Sequence, residues 1–216
     1  MRFKAVIFDL DGTLLDTLDD LADSMNCVLS GRHYPIHEAG AYKYFVGNGL
    51  RDLVRRTFPE DARYDENVDR GLAELRDEYG KRWSSKTKPY KDIDALLSGL
   101  ADTGMKMAVL SNKADDFTKQ MIRKFLPDWH FSLVLGERSG VPRKPDPAGA
   151  LEIASTLGIQ PEDCLYLGDT GVDMKTAVSA GMYPVGVLWG FRKAEELVES
   201  GARLLITNPA VLLDLL

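Results

Sequence analysis

The sequence predicts an α/β protein: a doubly wound, mainly parallel, Rossmann-like sheet with an all-helical domain inserted after its first strand. Three observations carry that reading. The uninterrupted apolar run Ala5-Val6-Ile7-Phe8 is rich in β-branched and aromatic side chains, as in a strand covered on both faces and hence in a parallel sheet. From residue 93 onward, short apolar runs alternate with helical patterns, the order that a doubly wound sheet requires. Between them, residues 18–86 show helical periodicity without a strand signal, which reads as an inserted unit. The expected division is 1–16 with 89–216 for the sheet core and 17–88 for a helical cap, and a chain of 216 residues can bury both cores.

The elements follow in order. The first strand runs into Asp9-Leu10-Asp11-Gly12-Thr13. Asp9 and Asp11 are two apart, so a strand's period of two aims both side chains to one side at its carboxyl end. Gly12 permits a turn that other residues resist. Leu18, Leu21, Ala22, Met25, Val28 and Leu29 then recur at helical spacing, with Asp19, Asp20 and Asp23 on the other side and Gly31 closing the helix. Gly47-Asn48-Gly49 opens a second helix bearing Leu50, Leu53, Val54 and Phe58, stopped by Pro59. A longer helix, about Asp65 to Trp83, carries the stripe Val68, Leu72, Leu75, Tyr79 and Trp83. Asp16-Thr17 and Ser84 to Tyr90 are the connections out and back. The core continues with helix 93–100, strand 106–110, helix 115–125, strand 131–135, helix 148–157, strand 164–167, helix 172–180 and strand 183–188. An edge strand at 204–206 and a last helix complete it.

Composition narrows the function. With 44% hydrophobic and 28% charged residues the chain fits a soluble globule rather than a disordered or membrane protein. A net charge of −6 argues against nucleic acid, which needs a basic face, so any phosphate must be met locally. Met1-Arg2-Phe3-Lys4 begins with positive charge, but Asp9 and Asp11 cut the apolar run after it short of signal-peptide length, and no segment approaches a membrane span. Cys27 and Cys164 are expected to be core thiols of a protein in the reducing cytoplasm. A small molecule is the expected partner, with no nucleic acid and no membrane, for a monomer or homodimer.

Two carboxylates at one strand end repel, which pushes one pKa upward unless a cation joins them. Hard oxygen ligands, few of them from protein, suit Mg²⁺, which shares phosphate oxygens with its substrate. Three later segments bring polar residues to the same edge: Ser111-Asn112-Lys113 after a strand, Arg143-Lys144-Pro145-Asp146 before a helix, and Gly168-Asp169-Thr170-Gly171-Val172-Asp173 after another strand. Singly, Ser111 reads as a helix cap, Lys144 as a solvated charge, and Asp169 or Asp173 as a helix-start acid. Together with Asp9-Leu10-Asp11-Gly12-Thr13 they resemble, in chain order, the four motifs of the haloacid dehalogenase superfamily. The resemblance covers the core to about Arg192, and the helical block matches in placement.

That resemblance implies a phosphatase using an aspartyl-phosphate. Phosphate-monoester hydrolysis calls for accelerations of up to ~10²¹, more than ~20 kcal/mol, whereas a helix terminus supplies about one. Metal and lysine charge, in-line positioning and a covalent step must share the rest. By the resemblance Asp9 is the nucleophile, and Asp11 protonates the leaving oxygen and then activates water. Mg²⁺ is held by Asp9, Asp169 and the Asp11 carbonyl, with Asp173 behind them. Ser111 and the Asn112 backbone bind the phosphoryl oxygens and Lys144 neutralises them. The dehalogenases lack Asp11 and the phosphonate-cleaving members replace it. A phosphohexomutase of the β-phosphoglucomutase type is the alternative, from which Asp11-Gly12-Thr13 leans away; a non-catalytic phosphate-binding protein is the other.

Val187-Leu188-Trp189-Gly190-Phe191-Arg192 resembles a stretch of phosphoglycolate phosphatase-like members and also reads as a hydrophobic loop plug with a solvated Arg192. Lys91-Asp92 stands where many relatives have Pro-Gly. The cap is expected to be a lid that selects a small phosphorylated metabolite, phosphoglycolate first. Its carboxylate would meet the helix start at Asn48 and Arg51, with Lys43 as second choice.

Overall fold

The computed structural model describes residues 3–214; Met1-Arg2 and positions 215–216 of the expected core lie outside them. Contacts divide the chain into two compact units, one of the residues up to Leu15 and from Pro89 on, the other Asp16–Lys88.

In the first unit β1 (Ala5–Phe8) is buried along its whole length. The chain passes through two-residue strands, β2 (Leu15–Asp16) and β3 (Lys88–Pro89), on its way out and back. In the second unit the helices are α1 (Leu18–Gly31), α2 (Tyr42–Phe45), α3 (Leu50–Thr57) and α4 (Asp65–Arg82). Helix α4 packs on α1 and α3 through Val68, Leu75 and Tyr79, all fully buried. Gly71 allows the approach, since a Cβ there would lie 2.5 Å from the Phe58 ring. A two-point ion pair from Arg32 to Glu74 ties the end of α1 to α4. Asp20, expected on the solvated side of its helix, is instead buried: its carboxylate accepts from Lys86 N, Thr87 N and Thr87 Oγ1, so it caps the returning chain. Cys27, expected in the core, is exposed, whereas Cys164 is buried.

From Pro89 the core follows as α5 (Ile93–Asp102), β4 (Lys106–Ala114), α6 (Asp115–Phe125), β5 (Leu133–Glu137), α7 (Ala148–Leu157), β6 (Cys164–Gly168), α8 (Gly171–Ser179), β7 (Tyr183–Val187), α9 (Ala194–Glu199), β8 (Leu204–Ile206) and α10 (Ala210–Leu213). The sheet is six-stranded and parallel, in the order β5-β4-β1-β6-β7-β8. Ala5 and Ile7 of β1, Ala108 and Leu110 of β4 and Tyr166 of β6 form one core with Ile153, Ala154 and Leu157 of α7. Asp92 precedes α5 at φ 65°, a left-handed backbone that glycine adopts freely and aspartate tolerates, which accounts for Asp92 where the related pattern has glycine.

Strand β4 extends past the expected 110 to Ala114, with an irregularity in its register after Leu110. Ser111, Asn112 and Lys113 are therefore buried strand residues, paid for in hydrogen bonds described below. The chain reverses its order across the sheet at β1, between β4 and β6, and the crevice beyond the carboxyl ends there is where open α/β sheets hold ligands.

Candidate active site

Asp9 leaves β1 with its N–H still in the ladder, donating to Leu167 O at 2.9 Å. Its Oδ1 accepts from Leu10 N at 2.7 Å and from Lys144 Nζ at 2.9 Å. Lys144 Nζ also donates to Asp173 Oδ1 at 2.7 Å and to Leu110 O at 3.1 Å. The lysine is buried, as are Asp9, Asp169 and Asp173. Burial disfavours its ammonium, but the charges of Asp173 and Asp9 outweigh that and hold its pKa well above the ordinary lysine value.

The three carboxylates Asp9, Asp169 and Asp173 each place an oxygen within 4.8 Å of the others. Against them the Lys144 ammonium stands at hydrogen-bond distance from Asp9 and Asp173. Burial and then the Asp173 charge push the Asp9 pKa up to about 7, and burial with the charges of Asp173 and Asp9 raises that of Asp169 well above the carboxylate range. An all-oxygen, buried, over-negative donor set fits a hard divalent cation.

The acids are not equivalent. Asp173 is at the third position of α8, where its Oδ2 accepts from Thr170 N and Oγ1 while its own N–H donates to Thr170 Oγ1, a capping box. With Oδ1 on Lys144, both oxygens of its carboxylate are engaged. Asp169 keeps one oxygen, Oδ2, on Phe191 N at 2.8 Å and the other at 3.3 Å from the donating Thr13 hydroxyl. Asp11 lies close enough for its charge to add to the raised pKa of Asp9. β1 ends at Phe8, so the period of two does not reach Asp11, and its carboxylate lies outside the acid cluster with both oxygens accepting from Lys113 Nζ at 3.0 Å.

Ser111 is buried at the end of β4, its Oγ accepting from Lys113 N at 3.2 Å. The Asn112 side chain bridges to the Lys144 backbone in both directions, accepting from its N–H at 2.9 Å and donating to its carbonyl at 3.0 Å. This joins β4 to the loop carrying the lysine. Neither Lys113 nor this bridge is legible from local pattern, because the partners lie 102 and 32 residues away.

The loop after β7 is also built into the site. Trp189 Nε1 donates to Thr13 O at 2.9 Å. A Cβ on Gly190 would lie 2.3 Å from Asp169 Cβ and 2.4 Å from Gly12 O. Gly12 itself stands at φ 85° with no room for a Cβ beside the Asp169 carboxylate. Arg192, readable as solvated, has only 9% of its side chain exposed, and its charge favours the ionised form of Asp169.

In the helical unit the expected substrate contacts are arranged less simply. Arg51 donates from Nε to Asp69 at 2.7 Å and from Nη2 to Asp65 at 2.9 Å, so an incoming carboxylate would compete with two already there. Asn48 is half-buried in the turn before α3, and Lys43 on α2 is exposed.

The chain matches the haloacid dehalogenase-like hydrolase family over residues 6–187. It is 33% identical over 205 residues to a phosphoglycolate phosphatase of Psychrobacter arcticus, covering 91% of this chain and 88% of that one. It is 31% identical over 202 residues to a phosphoglycolate phosphatase of Nitrosospira multiformis, covering 92% and 89%. A crystal structure described as a predicted phosphoglycolate phosphatase from Haemophilus somnus superposes with a TM-score of 0.92 at 27% identity, covering 100% of this chain and 98% of that one.

Proposed function

Because the chain belongs to the haloacid dehalogenase-like hydrolases, we propose that it is a Mg²⁺-dependent phosphatase that hydrolyses a small phosphorylated metabolite, phosphoglycolate first, through an aspartyl-phosphate on Asp9. The observation that carries this reading is the buried gathering of Asp9, Asp169, Asp173 and Lys144 at the end of β1, with Ser111 buried at the end of β4.

Asp9, Asp169 and the Asp11 carbonyl would hold Mg²⁺, with Asp173 fixing Lys144 behind them. When bound, the cation supplies positive charge that keeps the carboxylates ionised and offsets the phosphate's repulsion of an anionic nucleophile. Leu10 N and Lys144 anchor Asp9 through Oδ1, a hold that would orient its carboxylate for in-line attack on phosphorus. Ser111 Oγ and the Asn112 N–H would hold phosphoryl oxygens while Lys144 neutralises them. Asp11 would hand a proton to the leaving oxygen and later take one from water.

Hydrolysis of a panel of phosphomonoesters tests this. Phosphoglycolate should be turned over with Mg²⁺, the reaction should stop on chelation and resume when Mg²⁺ is restored, and Ca²⁺ should inhibit because its looser, higher coordination misplaces the groups around it. Full activity in excess chelator, or no hydrolysis of any phosphomonoester, would overturn the reading.

A further inference from the structure

Lys113 sits at the end of β4 with 2% of its side chain exposed, and its Nζ donates to both oxygens of Asp11 at 3.0 Å. Asp11, by contrast, keeps 19% of its side chain exposed. Burying an ammonium is costly, and an apolar chain of the same length would fill this space without that cost. The backbone that carries the lysine is fixed: its N–H donates to Ser111 Oγ at 3.2 Å, and its carbonyl accepts from Thr118 Oγ1 at 3.2 Å. The chain from β5 closes over the same carbonyl, since a Cβ on Gly136 would lie 2.6 Å from Lys113 O. Asp11 lies in the turn after β1, whose backbone is held by bonds to Leu10 O and Leu15 O and by an isolated bridge to Leu15, but its side chain can choose among three χ1 wells. A rigidly mounted cation that grips both carboxylate oxygens selects one of them.

We propose that Lys113 is a positioning residue that sets the Asp11 carboxylate where it can exchange a proton with the leaving-group oxygen and then with water. This rests on the reading of Asp11 as the proton-transfer group. In the first step, with a proton on one Asp11 oxygen and Lys113 donating to the other, an Asp9 oxygen bonds to phosphorus, the bond from phosphorus to the ester oxygen breaks, and that proton goes to the ester oxygen. In the second, a water oxygen bonds to phosphorus, the Asp9–phosphorus bond breaks, and the water proton returns to Asp11. Ester and water give alcohol and phosphate, and one carboxylate serves twice from one place.

Leaving-group dependence tests it. The rate of phosphoenzyme formation is measured by rapid quench for an alkyl phosphate, whose leaving oxygen needs a proton, and for 2,4-dinitrophenyl phosphate, whose leaving group does not. Asp11→Asn should lose about 10²-fold on the alkyl ester, and Lys113→Met about tenfold, with less than about twofold lost on the dinitrophenyl ester in either case. Lys113→Met should leave KM unchanged, Lys113→Arg should recover most of the alkyl-ester rate, and the double variant should be no slower than Asp11→Asn alone. If Asp11→Asn itself is insensitive to the leaving group, the proton-transfer reading fails and the inference with it. If Asp11→Asn is sensitive but Lys113→Met loses equally on both esters, or raises KM, Lys113 contacts phosphate or only holds the fold, and the inference alone is overturned. Where Lys113→Met does not fold, Lys113→Gln carries the same comparison; misfolding of Met, Gln and Arg variants alike would make the lysine a stability residue and overturn its assignment.

Discussion

Asp9 is a carboxylate that folding makes hard to ionise. With its pKa raised to about 7 from an ordinary value near 4, the native state binds this proton more tightly than the unfolded chain does. Stability from this group is therefore fully present below about pH 4 and is lost as pH rises toward about 7. A bound cation reverses the penalty. The melting temperature of metal-free protein should fall from pH 5 to pH 8, and Mg²⁺ should raise it more at pH 8 than at pH 5; an equal increment at both would contradict this account. Asp9→Asn removes one charge from an over-negative cluster, so it should abolish turnover without lowering the melting temperature of the metal-free protein at pH 8. Lys144→Met should do the opposite to stability. It leaves the carboxylates without their buried ammonium, a change that costs on the order of 3–5 kcal/mol, read by denaturant titration.

At the scale of elements, the loop from Trp189 to Phe191 is a clamp between the turn after β1 and the end of β6. It bonds Thr13 O through Trp189 and Asp169 Oδ2 through Phe191 N, with Gly190 in the gap. Gly190→Ala would push a methyl group against Gly12 O and Asp169, so Mg²⁺ affinity by calorimetry should weaken by at least about tenfold, roughly 1.4 kcal/mol. Unchanged affinity would show that the loop yields and Asp169 keeps its place. The same elements show what a sequence reveals. The ends of α6 and α7 agree with periodicity because their apolar stripes are amphipathic and continuous. Asp9, Ser111, Lys144 and Asp169 stand out because each directly follows an apolar run or lies just before a helix at the same sheet edge. Asp20, Lys113 and Arg192 do not, since a charged residue reads as solvated until its buried partner is known. The short α2 and α9 are too brief for a pattern to register.

For the molecule as a whole, two units invite a division of labour in which the core carries chemistry and the helical unit selects substrate. The core is the more legible of the two. Its motif residues fall at strand ends and helix starts that periodicity displays, whereas Arg51 is tied to Asp65 and Asp69 at 14 and 18 residues' distance, a network no local spacing displays. If Arg51 meets a substrate carboxylate, Arg51→Ala should raise KM for phosphoglycolate and Asp69→Asn, which removes a competing anion, should lower it. Neither should much alter KM for p-nitrophenyl phosphate; equal changes on both substrates would remove Arg51 from recognition and leave the core chemistry untouched. The central claim, that Asp9 attacks phosphorus, is tested most directly by rapid-quench mass spectrometry of the Asp11→Asn protein mixed with 2,4-dinitrophenyl phosphate and Mg²⁺. The account predicts one added phosphoryl group on the peptide containing Asp9, formed faster than phosphate is released. Phosphate release with no phosphoryl group on Asp9 at any time point, or turnover by Asp9→Asn near the wild-type rate, would contradict it.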